Sequence, residues 1–295
     1  MKGTMHKPWL AAWVAILAAG CSTTRPFESP TGPHFSVLTY NVNFGGPAPD
    51  LAVETIAEAD ADIVCLQETT AAWENLLRAR LAEQYPQMRF FPLGGAGGMA
   101  LLSRLPIVEV QRVDPTAGWF PAWVLLVQTP VGAVQVANIH LRPSLADKGQ
   151  VSASAYIQTK DIRRREVEAL WPHLAPGVPT VILGDFNEGD DGSAIRYLAA
   201  QGMVDSLPEF DRHSKTWRWQ TSLATFENRF DHILYSRQLH CLRAQVINRG
   251  ASDHLPVFAV FQNRVVEFPG DSQGRGRIYP DLEEQAPYVV VSPRR

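Results

Sequence analysis

Thr180-Val-Ile-Leu-Gly-Asp-Phe-Asn187 is a short apolar run, rich in β-branched residues, that stops abruptly at a glycine, an acid and an amide. Its length and composition predict a buried strand over Thr180 to Gly184. Gly184 lets the backbone bend where the strand ends, and the two-residue period of extended chain puts Asp185 and Asn187 on one face. A carboxylate so placed can take a proton from water while the neighbouring amide holds that water in line. Acids follow at Glu188, Asp190 and Asp191. They do not make an EF-hand calcium loop, because counting from Asp185 there is no glycine at position six and no glutamate at position twelve.

The same grammar, apolar strand then polar end, recurs on both sides of this run. Phe35-Ser-Val-Leu-Thr-Tyr-Asn-Val-Asn43 ends in two amides that strand parity places on one face. Asp62-Ile-Val-Cys-Leu-Gln-Glu68 closes a second buried strand on a carboxylate. In Val136-Ala-Asn-Ile-His-Leu-Arg142, the residues Asn138, His140 and Arg142 share a face suited to a phosphate or another anion. Asp231 opens His232–Tyr235, placed to orient a histidine, and Ser252-Asp-His-Leu-Pro-Val257 opens the last strand with Asp253 and His254. Each motif has a plainer reading: a turn asparagine, a loop glutamate, a satisfied core histidine. Their weight lies in the set.

Between them the pattern predicts helices over Leu51–Ala59, Ala71–Gln84, Gln158–Leu174 and Ser193–Gln201. Further strands are expected at Gly98–Ser103, Ile107–Val113, Ala122–Gln128, Ala133–Leu141, Leu239–Val246 and Val257–Phe261. Strand clusters alternating with helices point to one mixed α/β domain over 35–262. With 45% hydrophobic residues and 19% charged, the chain has the means to bury a substantial core. Residues 263–295 lose the hydrophobic pattern and read as an extended tail. Trp119, Phe120 and Trp123 fit either a stacking surface or core, and Arg163–Arg165 either a phosphate contact or a solvated helix face.

Taken in order, these segments resemble the endonuclease/exonuclease/phosphatase superfamily, the DNase I-like proteins. Gly184-Asp-Phe-Asn187 and Ser252-Asp-His-Leu-Pro256 are its most specific motifs, and Gly98–Ile107 and Lys215-Thr-Trp217 look like recurrent non-catalytic parts. The resemblance implies a four-layer αββα sandwich, two packed mixed β-sheets flanked by helices, with the site at one rim. It implies Glu68 as principal metal ligand, supported by Asn41 and Asn43, with Asp253 as a second or water-mediated ligand. Asp185 is then the group that activates water and Asn187 the one that positions it. His254, oriented by Asp231, binds the phosphoryl oxygen, and His140 donates to the leaving oxygen. Asn138 and Arg142 are expected to contact substrate. Hard oxygen ligands suit Mg²⁺ or Mn²⁺, with Ca²⁺ a weaker fit. The expected activity is metal-dependent hydrolysis of a phosphoester, a diester before a monoester. The substrate is left open among nucleic acid, a phospholipid head group and a soluble phosphoester. Asn43 departs from the aspartate of abasic-site endonucleases, which weighs against base repair. A binding module of the same fold without activity is the alternative, set back by the presence of every signature acid.

The start of the chain is read separately. Lys2 and Lys7, a short apolar core from Trp9 to Ala19 and then Gly20-Cys21 resemble the bacterial lipoprotein signal, with Cys21 as the lipidated residue. Residues 1–21 are then a signal and 22–34 a solvated linker. The expected place is the cell envelope, through a lipid in the outer membrane as Ser22 implies, or otherwise the periplasm or secretion, with the protein a monomer. Residues 1–21 hold two of the 27 basic residues and none of the 30 acidic ones, so the remainder carries a formal charge of −5. No global basic surface for long nucleic acid follows from that balance. Only Cys65 and Cys241 remain, which excludes a disulfide scaffold.

Overall fold

The computed structural model describes residues 24–46, 48–144, 153–222 and 224–265. The expected signal with Cys21, and the tail beyond 265, lie outside them. In chain order the elements are β1 (His34–Asn41), α1 (Pro49–Ala59), β2 (Ile63–Gln67), α2 (Ala71–Leu81), β3 (Gln87–Phe91), β4 (Met99–Ser103) and β5 (Ile107–Val113). They continue with β6 (Ala122–Thr129), β7 (Gly132–His140), α3 (Ala153–Leu170), β8 (Thr180–Asp185), α4 (Ser193–Ala200), β9 (Val204–Asp205) and α5 (Leu207–Phe210). The last are β10 (Trp217–Gln220), β11 (Thr225–Asn228), β12 (Asp231–Tyr235), β13 (Leu239–Val246) and β14 (Val257–Asn263).

Two six-stranded sheets form, in the orders β13-β14-β1-β2-β4-β3 and β5-β6-β7-β8-β12-β9. Each is mixed: β1 runs parallel to β2, and β7 parallel to β8, while the other pairs are antiparallel. Alternation along the strands builds the layers. Phe35, Val37, Cys65, Val136, Leu183, Ile233 and Phe261 point inward into the core between the sheets. From the same strands Leu38, Tyr40 and Leu66 point outward beneath α1 and α2. Ile139 and Ile182 point outward beneath α3 and α4 on the other side. Burying one such side chain is worth about 1.5–3 kcal/mol, so the three apolar layers hold the strand ends in fixed mutual positions. This is the expected αββα sandwich.

Some elements escaped the sequence reading. β3 is a half-exposed edge strand, and β10 with β11 forms a separate two-stranded hairpin whose Trp219 and Phe226 face solvent. Neither presents a buried apolar face, and that face is what the pattern search detects. Helix α3 stops at Leu170 rather than Leu174, because Pro172 tightens the chain into a short 3-10 turn. The expected linker is also less free than its composition implies. Arg25, Phe27 and Glu28 are held against α5 and β13.

Candidate active site

The inward rows of both sheets turn polar at the same end. In β1 the row Phe35, Val37, Thr39 ends on Asn41, and in β2 the row Ile63, Cys65 ends on Gln67. In β8 it ends on Asp185, whose register neighbours are His140 on β7 and Asp231 on β12. Gly184 makes that three-strand contact possible. Its φ is 148°, and a Cβ there would lie 1.9 Å from the Ile139 carbonyl oxygen. Beneath the polar end, Gln67 donates to Asn138 Oδ1 at 2.7 Å, and Asn138 donates to the carbonyls of Leu66 and Ala100. Asn138 is fully buried and joins the two sheets, so it does not meet substrate as expected.

One oxygen gathers the rest. Asp185 Oδ2 accepts from Asn41 Nδ2 at 3.0 Å and lies 3.5 Å from His140 Nε2 and 3.6 Å from His254 Nε2. The same Asn41 nitrogen donates to Glu68 Oε1 at 3.1 Å, so a single amide joins the acids of two sheets. His254 is held from behind by Asp231, with Nδ1 2.8 Å from Oδ2. Asp185 Oδ1 accepts from the Asn187 backbone at 2.8 Å, and Asn187 Nδ2 donates to the Leu141 carbonyl. Glu68, Asn187 and Asn43 have φ of 62°, 52° and 57°, and only Asp60 joins them among described non-glycine residues with positive φ. Backbone held in this sparsely populated region collects where geometry is demanded by function.

Burial shapes the charges. It pushes the Glu68 carboxyl up, against the hydrogen bonds from Asn41 and Phe44. It also pushes Asp185 up, against the attraction of the two histidines. Burial holds His140 below its ordinary value. His254 is the opposite case: burial opposes its charge, but Asp231 and then Asp185 outweigh that and push it up to about 10. Its Nδ1–H therefore goes to Asp231, and its Nε2–H faces Asp185 as a charged donor. His140 Nδ1 lies 3.2 Å from the Ala96 carbonyl oxygen, which only an N–H can satisfy. Phe120 stacks on the His140 ring at 4.5 Å and fixes its plane.

The model of the Endonuclease/Exonuclease/phosphatase family matches residues 38–254, from the second half of β1 to the histidine that Asp231 holds. The chain belongs to this family. Membership supports phosphoester hydrolysis by a metal-dependent site in general. No curated protein matches the chain. Solved structures do. An endonuclease/exonuclease/phosphatase from Beutenbergia cavernae is 19% identical with a TM-score of 0.62, covering 78% of this chain and 72% of its own. A family protein from Bacteroides thetaiotaomicron is 19% identical with a TM-score of 0.57, covering 78% and 98%. D. rerio TDP2, solved in complex with single strand DNA product, is 16% identical with a TM-score of 0.63, covering 78% and 99%. At these identities the likeness is one of fold.

Within this endonuclease/exonuclease/phosphatase fold, several expected positions differ. Asn43 turns away from Glu68: its Nδ2 donates to Asp253 Oδ1 at 2.8 Å and its Oδ1 accepts from Gly45, so it braces Asp253 rather than presenting an oxygen to a cation. Asp253 Oδ2 also accepts from Trp217 Nε1, which ties the exposed hairpin to the loop that carries Asp253 and His254. Arg142 lies beyond the end of β7 and is buried. Its guanidinium sits 3.2 Å from the Trp119 ring centre and donates to the Pro143 carbonyl, so this arrangement does not offer it as the expected phosphate contact. Trp123 is core, Trp119 is exposed and Phe120 supports His140, so the three aromatics divide between the two readings. A buried group of Asp185, Asp231 and His254 has the ligand types for a metal. The Asp231–His254 hydrogen bond already occupies it, whereas among the described residues Glu68 has only Asn41 and Phe44 as hydrogen-bond partners. A half-buried carboxylate with that little compensation fits a divalent cation at Glu68.

Two supports went unseen in the sequence. Arg163 and Glu188 form a fully buried ion pair, 3.1 Å between Nε and Oε2, at the residue directly after Asn187. Behind them His232 Nδ1 lies 2.7 Å from Asp205 Oδ2, while its Nε2 lies 3.0 Å from the Glu188 carbonyl oxygen. Burial lowers the affinity of His232 for its proton, but Asp205 more than reverses this and raises it to about 9 from 6.5. A histidine raised on folding stabilises fully below its unfolded value, and that contribution is lost as pH rises through the folded one. The urea midpoint is therefore expected to fall as pH rises from 6.5 to 9, and that decline is expected to be smaller in Asp205→Asn, what remains coming from His254, which is raised to about 10.

Proposed function

We propose that the chain is a divalent-metal-dependent phosphodiesterase, monomeric and lipid-anchored through Cys21 in the cell envelope. The observation that carries the chemistry is the convergence of Asn41, His140 and His254 on Asp185 Oδ2, with Glu68 on the far side of Asn41. Asp185 takes the proton of the attacking water, and the Asn187 backbone holds its second oxygen in place. His254, charged and steadied by Asp231, stabilises the oxygens of the pentacoordinate phosphorus. His140 stands on the other side of Asp185, and since Ala96 holds its Nδ1–H, it must take up a proton at Nε2 before it can donate to the departing oxygen. Glu68 and Asn41 would hold Mg²⁺ or Mn²⁺, which supplies positive charge to polarise the phosphoryl group.

A diester is favoured over a monoester because the site offers few fixed cations to a dianionic phosphate. Arg142 and Arg163 are both committed to internal contacts, and Arg229 is paired with Asp190. No described helix is long and apolar enough to cross a membrane, so the anchor proposed is the lipid. The direct test follows hydrolysis of bis(p-nitrophenyl) phosphate and p-nitrophenyl phosphate with Mg²⁺, Mn²⁺ or EDTA. Turnover of the diester that EDTA removes and Mg²⁺ or Mn²⁺ restores supports the proposal. Activity indifferent to EDTA overturns the metal dependence, and none on any phosphoester overturns the proposal in favour of a binding module.

A further inference from the structure

We infer that the active site faces away from the membrane that carries the chain's own lipid, so that its substrate is a phosphodiester free in the aqueous compartment and not a head group of that bilayer. This rests on the reading of Cys21 as the lipidated residue. The inference comes from where the chain after Cys21 is fastened. Arg25 donates its backbone N–H to the Glu209 carbonyl at 2.8 Å, and Glu28 donates its own to the Leu242 carbonyl at 2.9 Å. The Arg25 guanidinium binds Glu209 Oε2 at 2.6 Å and the Cys241 carbonyl at 3.2 Å, and Glu28 Oε2 lies 3.0 Å from His240 Nε2. Phe27 packs on Phe210 at 5.9 Å between ring centres, and Arg25 lies 5.1 Å from the same ring. Glu209 is itself held by the Tyr235 hydroxyl at 2.6 Å. Backbone, ionic and aromatic contacts together make this a strap.

Both sheets say which pole the strap occupies. Cys241 pairs with Phe261, which pairs with Phe35 near the start of β1, whereas the site begins at Asn41 at its end. Tyr235 is likewise the last residue of β12, whereas Asp231 is the first. At roughly 3.3 Å per residue, the six residues from Phe35 to Asn41 separate strap and site by about 20 Å. From Cys21 to Arg25 there are four residues, which reach at most about 14 Å even fully extended. A domain held so closely by its base cannot be turned face down onto the same bilayer. Were the strap free as far as His34, thirteen residues would reach about 45 Å and the restriction would disappear. The strap, rather than the presence of a lipid, decides what the site can reach.

The test attaches Cys21 of the otherwise complete mature chain to vesicles of phosphatidylcholine doped with maleimide lipid. Cys65 and Cys241 are buried and do not compete for the reagent. A keto-bearing residue placed at Arg237, in the turn between β12 and β13, or at Gly45, on the rim of the site, carries a dye quenched by head-group acceptors. Both positions are exposed. Quenching is expected to be several-fold stronger from position 237 than from 45. In the triple variant Arg25→Ala, Phe27→Ala, Glu28→Ala the two are expected to approach each other, while hydrolysis of soluble bis(p-nitrophenyl) phosphate is retained. Equal quenching in the wild-type strap, stronger quenching at 45, or an undiminished difference in the triple variant overturns the inference. Chemical attachment keeps it separate from lipidation in the cell: a native protein whose mass lacks acyl chains on Cys21 refutes the anchor and leaves the geometric result standing.

Discussion

Asp185→Ala is expected to lower the rate of bis(p-nitrophenyl) phosphate hydrolysis by on the order of 10²–10⁴-fold, the range for loss of a positioned general base. The size follows from its place in the site. Asp185 Oδ2 is the acceptor that Asn41 donates to, and the atom both His140 and His254 face, so its removal takes away the base and the common orienting partner together. The loss is expected in kcat, with KM little changed, because the base acts on the water in the transition state. Asp185→Asn keeps the shape and an acceptor oxygen but not the basicity, and should be as inactive. If the asparagine variant retained most of the wild-type kcat, Asp185 would be a positioning group and the base would lie elsewhere. Steady-state kinetics with Mg²⁺ at saturation separate the two outcomes.

Arg163→Met is expected to cost about 3–5 kcal/mol of unfolding free energy, the usual loss when one member of a buried ion pair is removed. Both side chains are wholly inaccessible. Arg163 also donates to the Arg142 carbonyl, to Thr159 Oγ1 at 2.7 Å and to the Tyr156 carbonyl. Without it Glu188 keeps, among the described residues, only the backbone donors of Ala194 and Ile195 and a longer contact from Ser193 for its charge. The charge, rather than the lost contacts alone, should dominate. Arg163→Met with Glu188→Gln is therefore expected to recover a large part of the loss, since glutamine still accepts from the start of α4 and leaves no buried ion. Urea denaturation of the two variants decides it: a double variant no more stable than the single one would assign the cost to packing.

Glu188 shows where the sequence reading ran short. It stood out as one acid in a run of acids, and nothing local distinguishes a capping glutamate paired inside the protein from a solvated loop. Its partner is 25 residues earlier on a helix whose Arg-Arg-Arg run reads as a charged face. Arg164 bears that reading out by pairing with Glu168 across one helical turn, yet Arg163 next to it is buried. Asn138 and Arg142 failed for a related reason. Parity assigned Asn138 to the correct strand face, but how deep a residue sits along that face depends on where the facing sheet begins and ends, and Arg142 falls past the end of β7, where parity no longer applies.

The chain's own alternation determined the buried strands of the two sheets, the polar ends of their inward rows and therefore the identity of the acids, amides and histidines, because side-chain parity depends only on near neighbours. Gly184-Asp-Phe-Asn187 and Ser252-Asp-His-Leu-Pro256 carried the family with them. Tertiary structure alone decided the pairings. Asn41 bridges to an acid 144 residues away, His254 leans on one 23 residues earlier, and Asn43 faces Asp253 rather than Glu68. It alone also fastened Arg25 to the pole opposite the site. Such contacts are chosen by how two sheets stack and which strands lie side by side, and a hydrogen bond selects its partner by distance in space, which the order of residues does not record.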